Sequence, residues 1–369
     1  MKPKSPLSTL AVAGLLLGLA GAARADFGYT LQPLALPNGS TFVDAGGMAL
    51  NDQGMALAWG WNSNVNALQA FVYSSPTQLQ VLPYPAGAVG NIVGNGLNNL
   101  GQVVGTSSDG ARSHATLWSA PNAPGVWLGG NGSTAVGIND DGLVAGNITT
   151  ADGRTRAAIF TAGGPIDIGG PSQAISTVWA VANGGYVVGF IESGTGFQAA
   201  WFDYAHGSVV TLGGLGGMTS AAEAVNDHGL AAGFAELASG NYQAALFDFA
   251  AGSVQGLGTL GGDTSYAFGI NNLGQVVGMA ETATGADHYF VWDAQHGMQD
   301  LQSLIDPSGG WQIQGVSDIN NLGQVLVKAC LDGQCQAALL NPLSAVPEPS
   351  TWALMAAGLG WMVSRRRRC

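Results

Sequence analysis

Apolar residues in this chain come in short consecutive runs, such as Val276-Val277 and Ala244-Ala245-Leu246-Phe247. A half-exposed strand alternates with period two, so runs apolar at successive positions predict strands covered on both faces. Turn signals break these runs at regular intervals. In the clearest stretch they predict four strands: Ser220 to Val225, Leu230 to Phe234, Gln243 to Asp248 and Ser253 to Leu257. Loops with a central glycine (Gly110, Gly153, Gly194, Gly240, Gly285, Gly333) join the second strand to the third, so each unit reads as an antiparallel sheet. The third strand ends in an aromatic at Tyr73, Trp118, Phe160, Phe202, Phe247 and Trp292, with Leu340 in the last copy.

The phrase Ile270-Asn271-Asn272-Leu273-Gly274-Gln275-Val276-Val277-Gly278 recurs seven times, at steps of 47, 41, 43, 44, 45 and 49 residues. A period of that size marks a repeat architecture. Small sheets covered on both faces fit radially stacked blades. The expected fold is all-β: a seven-bladed β-propeller of four-stranded antiparallel blades over residues 26–345. A β-solenoid is the other arrangement such repeats allow.

The first two strands of each unit are joined by a turn that an Asn opens and a left-handed Gly closes. The pairs are Asn51 and Gly54, Asn98 and Gly101, Asn139 and Gly142, Asn226 and Gly229, Asn271 and Gly274, and Asn320 and Gly323. The fourth copy has Ala182 in place of the Asn, and copies one and seven carry Ala58 and Val327 where others have the closing Gly. Seven copies of the first three strands are followed by only six fourth strands. Residues 29–36 supply the missing one, and they are expected to pair with 336–340 and close the ring.

Only 9% of the residues are charged, 47% are hydrophobic and 58 are glycine. Disordered chains are more charged and less apolar, and collagen needs glycine at every third position. Between Asp26 and Ala345, 22 acidic residues face four basic ones (Arg112, Arg154, Arg156, Lys328), a net charge near −18. Such a body repels nucleic acid and anionic headgroups, which argues against both as partners.

The ends read as addresses. Lys2 and Lys4, the apolar Leu10 to Ala20 and the small residues Ala23 and Ala25 compose a secretory signal over residues 1–25. After the repeats come Pro347-Glu348-Pro349, the apolar Trp352 to Val363, and Arg365, Arg366, Arg367 and Arg368. This tail resembles the PEP-CTERM sorting signal of Gram-negative bacteria. The resemblance implies a short transmembrane segment that holds the precursor in the inner membrane until an exosortase cleaves near the Pro-Glu-Pro. The repeats, with Gln69-Ala70-Phe71 and His114-Ala115-Thr116 among their third strands, resemble the extracellular HAF-repeat family, which implies no established activity.

Candidate chemistry is sparse. Gly256-Leu257-Gly258-Thr259-Leu260-Gly261 fits the dinucleotide string but precedes a strand, not the helix a pyrophosphate needs. Asn51-Asp52, Asn139-Asp140-Asp141 and Asn226-Asp227 offer oxygens to Ca²⁺, yet one or two carboxylates per turn fall short of the six to eight oxygens calcium takes. No cofactor is expected. The five histidines lie in different repeats without metal spacing. Trp118, Trp201, Trp292 and Trp311 are read as blade core before sugar platforms. Cys330 and Cys335 face each other across a four-residue hairpin loop, so an oxidising compartment favours a disulfide.

The expectation is an exported surface or matrix protein that binds extracellular polysaccharide or another protein without catalysis. Its partners in transit are the secretion machinery and the exosortase. An enzyme acting on glycans at the ring axis is the alternative.

Overall fold

A computed structural model describes residues 28–34, 42–171, 173–194 and 196–343. Seven four-stranded antiparallel sheets are arranged as a β-propeller, with helix limited to the 3₁₀ turns Leu301–Leu304 and Pro307–Gly309 among the described residues. In chain order the blades occupy 42–81, 92–127, 134–167, 176–212, 216–256, 261–300 and 312–342, numbered 1 to 7 below. The fifth blade has strands Gly216–Val225, Leu230–Leu237, Tyr242–Asp248 and Ser253–Gly256, matching the four that the apolar runs predict.

The doubly apolar strands are doubly buried. Val276, Val277, Ala244, Ala245 and Phe247 are fully buried, and so are Tyr73, Trp118, Phe202 and Leu340 at the ends of third strands. They form clusters that span blade pairs: Val188 and Ala199 of blade 4 pack with Ala222, Ala231, Ala245 and Phe247 of blade 5. Each blade therefore buries its faces against its neighbours, which is why no single repeat has a core of its own.

The Gly that ends the phrase has a steric cause. A Cβ at Gly105, Gly146, Gly189, Gly233 or Gly278 would stand 1.9 to 2.1 Å from a carbonyl oxygen of the innermost strand. The same innermost strand is bulged in every blade, where register shifts as between Ala222 and Ala224 or Ala267 and Gly269. Blades 1 and 7, with Ala58 and Val327 at the Gly position, each carry another register shift just before it, between Val43 and Gly46 and between Ile313 and Gly315.

The ring closes by strand exchange. Tyr29–Pro33 is the outermost strand of blade 7 and pairs with Gln334–Pro342, Tyr29 opposite Pro342 and Pro33 opposite Ala338. The Leu34 N–H extends the ladder to the Ala337 carbonyl at 2.9 Å. Cys330 and Cys335 form the expected disulfide in the same blade, across the hairpin of its second and third strands. The signal segment and the sorting segment, including the apolar Trp352 to Val363, lie outside the described residues. Among the described residues no helix is long and apolar enough to cross a membrane.

Candidate functional site

The seven Asn-type turns meet at one mouth of the ring, around a polar cavity of about 160 Å³. Each phrase Asn is nearly fully buried there. The Asn271 Oδ1 accepts the N–H groups of Leu273 and Gln275, both at 3.0 Å, and so holds its own turn. Gly274 takes the left-handed φ of 75° that the turn requires. The Asn271 amide then donates to the Gln275 side chain at 2.8 Å and to the Asn320 carbonyl of the next blade at 3.0 Å. The same outward bond runs from Asn51 to Asn98, Asn98 to Asn139, Asn139 to Ala182, Asn226 to Asn271 and Asn320 to Asn51, at 2.9 to 3.2 Å. This belt of amides has one gap, after Ala182. There the Tyr186 ring lies against the backbone of Gly229 in blade 5.

A second belt, formed by the residues that follow, is unbroken. Backbone N–H groups donate to the next blade's side-chain Oδ1 from Asp52 to Asn99, Asp140, Asn183, Asp227, Asn272, Asn321 and back to Asp52, at 2.7 to 2.9 Å. Carboxylate and amide alternate around it. Seven is odd, so one like pair is unavoidable, and it is the neutral pair Asn272 and Asn321. Amide-to-carboxylate bonds from Asn99 to Asp140 (2.9 Å), Asn272 to Asp227 (2.7 Å) and Asn321 to Asp52 (2.9 Å) reinforce the alternation. Of the carboxylates considered for Ca²⁺, Asp52, Asp140 and Asp227 are thus engaged between blades, while Asp141 is exposed outside the belt. Among the described residues no group of three or more His, Cys, Asp or Glu side chains is close enough to hold a metal ion.

Asp318 also lines the cavity. Its carboxylate accepts the Leu50 N–H of blade 1 and the Ile319 N–H, both at 2.8 Å. Burial pushes this acid up to about 7, against the pull of those two bonds, and the nearby Asp52 adds to the rise.

Toward the opposite end of the blades, aromatic side chains of blades 4, 5 and 6 touch in an unbroken series. Phe197 stacks edge-on to Phe190 at 4.8 Å, Phe190 to Trp179 at 5.1 Å, and Phe234 to Tyr242 and Tyr266 at 5.5 and 5.4 Å, while Trp179 and Phe234 are tilted to each other at 6.5 Å. Phe197 is exposed and the others are half-buried. Glu223, on the innermost strand of blade 5, lies near Tyr266, and burial raises its carboxyl to about 7.

Neither surface was singled out by motif. The belts were legible only as turns, because bonds between repeats leave no mark on a single copy. The aromatic series leaves a trace in Gly189-Phe190 and Gly233-Phe234, where the other copies have Trp59, Thr106, Asn147, Met279 and Lys328 after the phrase. Of the tryptophans read as core, Trp118 and Trp292 are buried, while Trp201 and Trp311 are partly exposed. Four histidines each pair with an Asp of their own blade: His114 with Asp109, His206 with Asp203, His288 with Asp300 and His296 with Asp293. Gly256 to Gly261 runs from a fourth strand into the next innermost strand, with no helix behind it.

Residues 345–368 match the PEP-CTERM protein-sorting motif, which marks an exported protein processed by an exosortase in Gram-negative bacteria. No curated protein matches the sequence. Among solved structures the chain is similar to the β-propeller domain of the Trilobed protease from Pyrococcus furiosus, described as having an open velcro topology, at TM-score 0.54 and 12% identity, covering 82% of this chain and 94% of that one. It is also similar to the acylaminoacyl peptidase of Pyrococcus horikoshii, at TM-score 0.52 and 11% identity over 82% of this chain. TolB from Acinetobacter baumannii aligns at TM-score 0.46 and 12% identity over 79% of this chain. The chain spans 52% of the peptidase and 64% of TolB. At such identities the propeller fold is what is shared.

Proposed function

We propose that this protein is a non-enzymatic binding propeller of the cell surface or extracellular matrix, and that its ligand is extracellular polysaccharide. Its resemblance to the HAF-repeat family belongs to the same reading. The aromatic surface of blades 4 to 6 carries it. Rings with one face or edge in water are the groups on which the apolar faces of sugars stack, and a series across three blades suits a chain better than a single sugar. The rival reading, an enzyme working on such a chain at the ring axis, asks for free polar groups there. The Asn and Asp side chains at the axis are instead engaged in two hydrogen-bonded belts. Incubation of the purified, exported body with exopolysaccharide released from its own cells tests the reading. The polymer is retained by the protein and its length distribution is unchanged. Shortening of the polymer supports the enzyme instead, and absence of retention removes the polysaccharide.

A further inference from the structure

The three blades that carry the aromatic series share a second feature. Two residues beyond Phe190, Phe234 and Met279, their second strands hold Glu192, Glu236 and Glu281. The same positions in the other blades hold Trp61, Ser108, Thr149 and Cys330. Each Glu is fixed by backbone N–H groups at, or just before, the start of its blade's innermost strand. Glu192 accepts from Ile175 at 3.2 Å, Glu236 from Met218 and Thr219 at 2.9 Å, and Glu281 from Asp263 at 2.9 Å. Those bonds hold the Glu236 carboxyl below its ordinary range, hence charged. Across the hairpin, Glu192 stands opposite the exposed Phe197, Glu236 opposite Tyr242 and Glu281 opposite Asp287. Carboxylate and ring therefore recur together in blades 4 and 5, and blade 6 sets a second carboxylate opposite Glu281.

Nothing in this part of the chain neutralises them. Between Arg156 and Lys328 there are fourteen Asp and Glu and not one Lys or Arg. A neutral ligand leaves that field unanswered and an anionic one opposes it.

We infer that blades 4 to 6 form a docking surface for a linear polysaccharide bearing free amino groups, its sugar faces on Phe197, Tyr242 and Tyr266 and its ammonium groups on Glu192, Glu236 and Glu281. The inference rests on the polysaccharide reading above and narrows it to a cationic class. A repeating polymer matches a repeating surface, and ammonium groups meet carboxylates that backbone N–H groups already orient. The amines engage them without a rearrangement of the blade.

The test uses the exported body, a glucosamine hexamer, the fully N-acetylated hexamer and polygalacturonate, at about 0.15 M salt so that distant charges are screened. The glucosamine hexamer binds, and the triple variant Glu192→Gln, Glu236→Gln, Glu281→Gln weakens it at least about tenfold. Gln keeps an acceptor for each backbone N–H, so the fold is retained. A control triple, Asp141→Asn, Asp152→Asn, Asp332→Asn, makes the same change in net charge at exposed positions outside these blades and leaves binding within about twofold. Equal loss in both triples, or preference for the acetylated or the acidic chain, overturns the cationic surface. In the last two cases polysaccharide binding itself survives. Binding of none of the three, while the exopolysaccharide of its own cells is still retained, overturns the cationic class alone. Failure to retain that polymer as well removes both readings.

Discussion

Asn321 donates to Asp52 twice, through its backbone N–H at 2.8 Å and its side-chain amide at 2.9 Å. The two residues lie 269 positions apart, in the last blade and the first. With the Asn320 amide on the Asn51 carbonyl and Asp318 on the Leu50 N–H, they fasten at the axis the seam that Tyr29–Pro33 fastens at the rim. The ring is thus closed at both radii.

The inner belt predicts an asymmetry between two substitutions. Asn271→Asp keeps the acceptor but loses both amide donations, one to the Asn320 carbonyl. It is expected to cost about 1 to 3 kcal/mol, as for a buried group left without its partner. Ala182→Asn supplies the missing seventh link and is expected to gain about 0.5 to 1.5 kcal/mol. Urea unfolding of both variants checks the pair.

Rim closure predicts that deletion of residues 27–37 exposes the edge of Gln334–Pro342. An unpaired edge invites association. The deleted protein is expected to melt lower and to aggregate in light scattering. An unchanged melting temperature refutes the closure.

Much of this was written in the chain, and the limit is physical. The apolar pairs, the Asn and Gly of each turn and the count of six fourth strands carried the blades, their number and an exchanged strand that begins at Tyr29. Each of those signals is local or repeats in register. The alternation of Asp52, Asn99, Asp140, Asn183, Asp227, Asn272 and Asn321 is also visible as letters, but its meaning depends on closure, which brings 321 beside 52. The aromatic series was missed for a similar reason: Trp179 and Tyr266 come from the innermost strands of blades 4 and 6, and Phe234 from the second strand of blade 5.

Two buried acids, Asp318 and Glu223, make stability depend on pH. The folded Asp318 carboxyl stays protonated to about 7, while in the unfolded chain it ionises near about 4. The folded state therefore holds a proton that the unfolded state has released. That contribution to stability is full below about pH 4, falls as pH rises to about 7, and is level above. Glu223, also raised to about 7, acts in the same direction. Melting temperatures of the protein and of Asp318→Asn at pH 5 and pH 8 check the sign. The unsubstituted protein loses more on going to pH 8, and parallel behaviour contradicts the account.

The disulfide closes a loop with a sequence separation of five. A loop so short is expected to contribute about 2 kcal/mol. Thiol labelling of the unreduced body finds no free cysteine at 330 or 335, and reduction lowers its urea midpoint by the matching amount.

Everything proposed about a ligand requires the body to leave the cell, so sorting is the measurement that matters most. The triple substitution Pro347→Ala, Glu348→Ala, Pro349→Ala removes the Pro-Glu-Pro within the matched sorting motif. Fractionation of cells expressing it is expected to find a precursor of uncleaved length in the inner membrane. The unsubstituted body is expected at the surface or in the extracellular fraction, shortened at its C-terminal end. A triple variant that reaches that fraction at the processed size contradicts exosortase sorting and, with it, the matrix role.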